Sequence, residues 1–216
     1  ECHPCYQWLL KIVTPYLAAW PDVDVDVKQK FQFGGIGALF SHEIDMLVTP
    51  DPLYKPGLRF EPVFDYEQVL VVGLDHPLRQ ADYVRPRQLA DETLITYPVE
   101  RDRLDIFTAF LDPADVEPAE IRTTELTPMI IQLVASGRGV TAIPNWALTE
   151  YLDQGLLHAC RLGAEGVWRT LYAGVRVEDQ DAPYILNFLD IARELTFRNL
   201  TGIRAPRAER QAAPGS

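Results

Sequence analysis

Thr127-Pro128-Met129-Ile130-Ile131-Gln132-Leu133-Val134-Ala135-Ser136-Gly137, followed directly by Arg138-Gly139-Val140-Thr141-Ala142-Ile143-Pro144, reads as a helix that turns straight into a buried strand. Thr127 is placed as the N-cap, where its hydroxyl can accept an orphan backbone N–H. Pro128 stands at the first helical position, where its missing N–H costs nothing, and Gly137 closes the helix. Val140 to Ile143 then forms a strand that Pro144 ends. A helix leading into a buried strand is one unit of an α/β layer, so the flanking sequence is expected to supply the others.

It does so in both directions. Just upstream, Thr93 to Tyr97 is strand-like, Leu104 to Leu111 helical and Glu120 to Thr124 strand-like. Further back, Trp8, Leu9, Ile12, Val13, Leu17 and Trp20 form a helical stripe that stops at Trp20-Pro21-Asp22, with Pro15 expected to bend it. Val23-Asp24-Val25-Asp26-Val27 alternates strictly and predicts a half-buried strand; Gly34 to His42 predicts a short helix, and Ile44 to Val48 a buried strand. This order implies a parallel sheet. Two more strands are expected at Leu58 to Phe64 and Gln68 to Leu74, before a turn at Asp75-His76-Pro77-Leu78. Downstream, Trp168 to Val175 is a strand, and Asp181-Ala182-Pro183 opens a helix whose apolar positions Tyr184, Ile185, Phe188, Leu189, Ala192 and Leu195 need a sheet to cover. Residues 201–216, rich in Ala, Arg and Pro, are expected to be disordered.

With 20 Lys and Arg against 31 Asp and Glu, the formal charge of this 216-residue chain is −11, so its mean field repels phosphate backbones. Direct nucleic-acid binding by this segment is therefore not expected. No apolar stretch is long enough to cross a bilayer and no secretion signal opens the chain, which predicts a cytoplasmic protein without membrane contact. Three cysteines, Cys2, Cys5 and Cys160, are too few for a secreted disulfide framework. Glu1, with no initiator Met before it, reads as a cut end.

Four separated stretches resemble, in order, the effector-binding domain of LysR-type transcription regulators: Trp8-Leu9-Leu10 through Leu17-Ala18-Ala19-Trp20-Pro21-Asp22-Val23; His42-Glu43-Ile44-Asp45-Met46-Leu47-Val48-Thr49; Asp75-His76-Pro77-Leu78; and Leu133 to Val140 through Ile143-Pro144. Glu1 to Leu9, Phe64-Asp65-Tyr66-Glu67, Tyr97-Pro98-Val99 with Arg101 and Arg103-Leu104-Asp105, and Pro144-Asn145-Trp146 resemble those members that respond to homocysteine and activate methionine biosynthesis. The resemblance implies an α/β fold of two Rossmann-like lobes joined by crossover strands, as in type 2 periplasmic binding proteins. Lobe I would take residues 1–66 and 171–200, and lobe II residues 67–170. It also implies a separate N-terminal helix-turn-helix that carries DNA binding, self-association as a dimer with a tetramer at full length, contact with RNA polymerase by the full-length protein, and an amino-acid effector with no cofactor or metal.

An amino-acid effector brings a carboxylate and an ammonium group. Helix starts offer unpaired N–H groups for the first, and His3-Pro4 and Thr127-Pro128 open helices where open α/β sheets bind ligands, beyond the carboxyl ends of their strands. The family likeness places effector contacts at Cys2, His3 and Cys5, near Phe33, at Thr49, and at Pro98, Glu100, Arg101 and Thr127. Arg101 would fork onto the carboxylate and Glu100 meet the ammonium, with Glu125 as an alternative; the same charges also suit a solvated helix entry.

Cys2-His3-Pro4-Cys5 at a helix start admits a thiol–disulfide oxidoreductase as a second reading, and a solute-binding protein for amino acids is a third. A zinc site would need two more ligands, and His158 and Cys160 are unsuitably spaced. Other patterns fail. His42-Glu43 has Met46 where a zincin needs His, Asp22-Asp24-Asp26 has Val27 where a calcium loop needs Gly, Gly34-Gly35-Ile36-Gly37 lacks the Lys of a P-loop, and no G-x-S-x-G exists. No catalytic residue is expected.

Overall fold

A computed structural model describes residues 5–28 and 34–206, with side chains in the first helix from Trp8 onward. The helices are α1 (Cys5–Ala19), α2 (Gly35–Phe40), α3 (Thr127–Ala135), α4 (Thr149–Asp153) and α5 (Pro183–Asn199). The strands are β1 (Leu47–Thr49), β2 (Leu58–Gly73), β3 (Tyr83–Val84), β4 (Thr93–Thr96), β5 (Glu120–Thr123), β6 (Thr141–Pro144), β7 (Leu157–Leu162) and β8 (Val167–Arg176). A π-helical turn covers Ile106–Leu111.

The two strands expected on either side of Phe64 to Gln68 are one, the 16-residue β2, which at about 3.3 Å per residue spans roughly 50 Å. Pro62 sits at a register shift between Pro62 and Phe64, where a bulge tolerates the missing donor. The main sheet of the described residues runs β1-β8-β2-β7-β3, with β6 also paired to β2. The expected parallel sheet is only partly realised: β1–β8, β8–β2, β2–β6 and β2–β7 are antiparallel, and the parallel strand pairs are β3–β7 and β4–β5. Helix–strand alternation fixes which elements pack face to face, but strand direction follows the chain's path. β2 leaves the first packing region and β8 returns beside it, so the pair is opposed from Leu58↔Arg176 to Gln68↔Val167. A parallel bridge, Leu94↔Val140, ties β4 and β5 to the segment entering β6.

One cluster packs Trp8, Ile12 and Tyr16 of α1 with Ile185, Phe188 and Ala192 of α5 over Phe64 and Tyr66 of β2 and Leu171 of β8. Beside it, Leu39, Leu47, Leu58, Phe60 and Tyr172 form a small second cluster. Beyond Gln68, β2 is buried on both faces: Leu70 and Val72 face Phe107, Phe110 and Leu111, while Val69 and Val71 face Ile130, Ile131 and Val134 of α3. Burial on both faces explains why this half of β2 is nearly all apolar.

Several local expectations are corrected. Val23–Val27 joins no strand ladder among the described residues: Val23 and Val25 pack against the α1 cluster, but the Val25 N–H is taken by the Asp24 carboxylate at 2.9 Å. β1 starts at Leu47 rather than Ile44 because the Ile44 carbonyl and the Asp45 carboxylate are held by Arg176. Residues 201–206 are packed, not disordered, and residues 207–216 lie outside the described range. The Asp75-His76-Pro77-Leu78 turn is a capped one: His76 Nδ1 accepts from the Leu78 N–H at 3.2 Å while Nε2 faces Glu92 at 3.2 Å.

Gly139 has φ +146°, and a Cβ there would collide with the Thr93 carbonyl oxygen. The contact is unavoidable because Val140 exchanges hydrogen bonds with β4, donating to Thr93 O at 2.9 Å and accepting from Ile95 N at 2.8 Å. Gly139→Ala is expected to lower unfolding free energy by about 2–3 kcal/mol, read from urea denaturation, with no loss of secondary structure at low denaturant.

Candidate functional site

The carboxyl ends of β1 and β4 present Thr49 and the Thr96-Tyr97 step. Thr49 is buried, its hydroxyl accepting from the Asp51 N–H at 3.1 Å. Tyr97 is buried too, its hydroxyl 2.8 Å from that of Thr127. Thr127 is the first residue of α3 and Leu126 its N-cap, so the expected capping role is corrected: the Thr127 side chain joins α3 to β4. Pro98 and Glu100 are exposed on the loop that follows.

Arg101 departs from expectation. Its guanidinium is taken by two carboxylates, Asp112 and Glu117, the latter at 2.7 and 2.9 Å, and lies 4.0 Å above the Phe107 ring. The hydrogen bonds it donates to Asp112 and then Glu117 raise its pKa further and tie the loop to the π-helical turn. Glu125 is exposed near the start of α3. Cys2, His3 and Phe33 lie outside the described residues, and Cys5 is the first residue of α1 with its side chain outside them.

The charged groups that do converge lie midway along β2 and β8. Tyr66 is paired in register with Arg169, and Gln68 follows on the same face. Asp105, from the segment after β4, accepts from Arg169 Nε at 2.7 Å and from Gln68 Nε2 at 3.4 Å. Asp51, from the segment after β1, also acts electrostatically on both Tyr66 and Arg169. Burial, then the Asp105 and Asp51 charges, pushes the Tyr66 phenol far above its ordinary range, so it stays protonated. The hydrogen bond to Asp105 raises Arg169, whose side chain remains 39% exposed. Gln68 Oε1 is buried without a hydrogen-bond partner.

This polar layer sits on β2 between Phe64 and Tyr66 of one apolar cluster and Leu70 of another. It brings together one accessible cation, two carboxylates and a spare amide acceptor, a set complementary to a small zwitterion. It contains no nucleophile–base pair, and no group of His, Cys, Asp and Glu among the described residues is arranged to hold a metal ion. The sequence carried a signal for it: Asp65-Tyr66-Glu67-Gln68 and Arg169-Thr170 are polar runs inside two strands, and Asp65 and Tyr66 face Thr170 and Arg169 in register.

Cys160 is buried, donates from Sγ to the Leu78 carbonyl at 3.3 Å, and burial raises its thiol pKa. It should resist iodoacetamide at pH 8 in the folded protein and react only after denaturation, as mass spectrometry of tryptic peptides would report.

The family described as LysR substrate binding domain matches residues 1–196. The transcriptional regulator MetR of Escherichia coli K12 is 38% identical over 99% of this chain and 67% of its own length. Among solved structures, the regulatory domain of MetR, a LysR family regulator from N. meningitidis, is 37% identical, with a TM-score of 0.86 over 96% of this chain and 95% of that one. The BenM effector-binding domain with its effector benzoate, 21% identical, shares the fold with a TM-score of 0.71 over 88% of this chain and 86% of its own. The two MetR relatives are transcription regulators and not enzymes, so the oxidoreductase reading of Cys2 and Cys5 lapses. No described helix is long and apolar enough to cross a membrane.

Proposed function

This chain belongs to the LysR substrate binding domain family, and from that premise we propose that it senses homocysteine or a closely related amino acid, as part of a DNA-binding regulator of methionine biosynthesis genes. The observation that carries the reading is the Arg169–Asp105 layer with Asp51 beside it. Arg169 takes the effector carboxylate as a fork, and Asp105, Asp51 and the spare Gln68 Oε1 take the ammonium group. The family likeness adds Thr49, Pro98, Glu100 and Thr127 at the ends of β1 and β4 and the start of α3, and Cys2, His3, Cys5 and Phe33, whose side chains lie outside the described residues.

Residues 1–66 with 171–200 act as one lobe and residues 67–170 as the other, with β2 and β8 as the crossover. An effector held between Asp51 of one and Asp105 of the other favours the closed arrangement by as much as it binds that state more tightly. The chain spans about two thirds of the length of its E. coli relative. DNA binding falls to an N-terminal helix-turn-helix, dimer and tetramer formation transmit closure to it, and RNA polymerase is the partner at the promoter. The charge of −11 on the present segment suits that division of labour.

Isothermal titration with homocysteine, methionine and cysteine tests the reading. Saturable heat with homocysteine and no turnover supports it; absence of heat with all three removes the amino-acid assignment.

A further inference from the structure

Beyond α5 the chain turns back over the sheet. Leu200 and Ile203 pack on the α1 cluster, and the Gly202 carbonyl accepts from Asn145 Nδ2 at 2.6 Å. Arg204 then forms a two-way backbone bridge with Asp65, donating to its carbonyl at 3.0 Å and accepting from its N–H at 2.9 Å. The Arg204 guanidinium lies 3.7 Å above the Trp168 ring, with Nε 3.5 Å from Asp65 Oδ2, while Asp65 Oδ1 accepts from Thr170 Oγ1 at 2.5 Å.

These contacts have a definite phase. In the β2–β8 ladder, Asp65 pairs with Thr170, Tyr66 with Arg169 and Glu67 with Trp168. Side chains alternate between faces, so Asp65, Thr170 and Trp168 occupy the face opposite Tyr66 and Arg169. Arg204 therefore grips the residues immediately flanking Tyr66 and Arg169 in both strands, from the far side of the sheet.

We infer that Arg204 is a positioning residue for the polar layer: by fixing Asp65 and Trp168 it sets the directions of Tyr66 and Arg169, and so controls affinity for the ligand they hold. The affinity part rests on the Arg169 layer being the effector site; the grip on the backbone does not. Arg204 acts through these neighbours and touches no ligand.

The test uses this chain with Arg204→Ala, Arg204→Lys and Thr170→Val. In Arg204→Ala, amide hydrogen exchange at Tyr66 and Arg169 is expected to quicken roughly tenfold, as local opening of the two-strand ribbon becomes easier, and homocysteine binding by titration calorimetry to weaken roughly three- to tenfold. Arg204→Lys, which keeps a cation over Trp168, should recover most of both. Thr170→Val should reproduce a smaller loss, because it removes one hydrogen bond to Asp65 while leaving the strap seated. If Arg204→Ala lowers the melting temperature but leaves exchange at Tyr66 and Arg169 and the homocysteine Kd at wild-type values, its role is structural only and the inference falls. Should the wild-type chain bind no amino acid, the effector reading fails, while the exchange comparison still decides whether Arg204 holds the ribbon: unchanged rates overturn the grip, faster rates sustain it.

Discussion

Arg169→Ala is expected to weaken homocysteine binding about 100-fold, roughly 3 kcal/mol, with a smaller loss in Arg169→Lys. The magnitude follows from geometry. The guanidinium is in part open to solvent yet anchored on Asp105 at 2.7 Å, so it is pre-positioned with donors to spare for a second carboxylate. Lysine keeps the charge but presents a point donor instead of a fork. Removing Arg169 also leaves Asp105, whose side chain is only 15% exposed, with the Gln68 amide as its remaining hydrogen-bond donor. Part of the loss is thus a rearranged Asp105 rather than a missing contact. Asp105→Asn and the double variant separate the two in a double-mutant cycle read by titration calorimetry. If Arg169→Ala binds homocysteine as the wild type does, the layer is not the effector site.

Arg176→Met is expected to cost about 3–5 kcal/mol of unfolding free energy, the largest stability effect of any single change considered, with the urea midpoint as the measurement. Arg176 is 6% exposed at the end of β8 and reaches the Leu39 carbonyl at 2.9 Å, the Ile44 carbonyl at 2.7 Å and Asp45 at 2.7 Å, and it also donates to Asp179. Leu39 lies in the last turn of α2, so this cation adds a second donor to a carbonyl at the helix end, where positive charge is favoured, and satisfies the Ile44 carbonyl beyond it. Methionine fills much of the volume but donates nothing, so the Ile44 carbonyl loses this donor and the Leu39 carbonyl keeps only its backbone donor, the His42 N–H at 3.2 Å. The ion pair to Asp45, a carboxylate 72% exposed, contributes little by comparison. Removing Asp45 alone should therefore shift the midpoint only slightly; a large shift there would assign the stabilisation to the ion pair instead of the carbonyls.

Arg176 also shows where sequence reading stops. Its neighbours along the chain mark only the end of a strand, and apart from Asp179 three positions on, the hydrogen-bond partners it reaches lie more than 130 positions away. Arg101 teaches the converse. Its local pattern, Glu100-Arg101-Asp102-Arg103, allowed both an anion fork and a solvated helix entry. The structure shows a partly exposed helix entry, a short 3-10 turn over Arg101–Arg103 with Glu100 as its N-cap, and Asp112 and Glu117, brought close by the π-helical turn, tie the Arg101 guanidinium to it.

The periodic elements were legible because apolar spacing is a local record of burial. α1, α3, α5, β4 and β5 fall where the stripes and alternations predict, and the family resemblance of separated motifs is a property of the chain alone. Thr127-Pro128 and Gly137 marked the limits of α3 nearly to the residue, and Gly139 is required by the close approach of Val140 to β4. Tertiary structure alone decided the direction of the strands, the fusion of two expected strands into β2, and the meeting of Asp51, Tyr66, Asp105 and Arg169. Each depends on segments far apart in sequence arriving at one place, and the alternation of apolar and polar residues is the same whichever partner strand arrives and in whichever direction it runs.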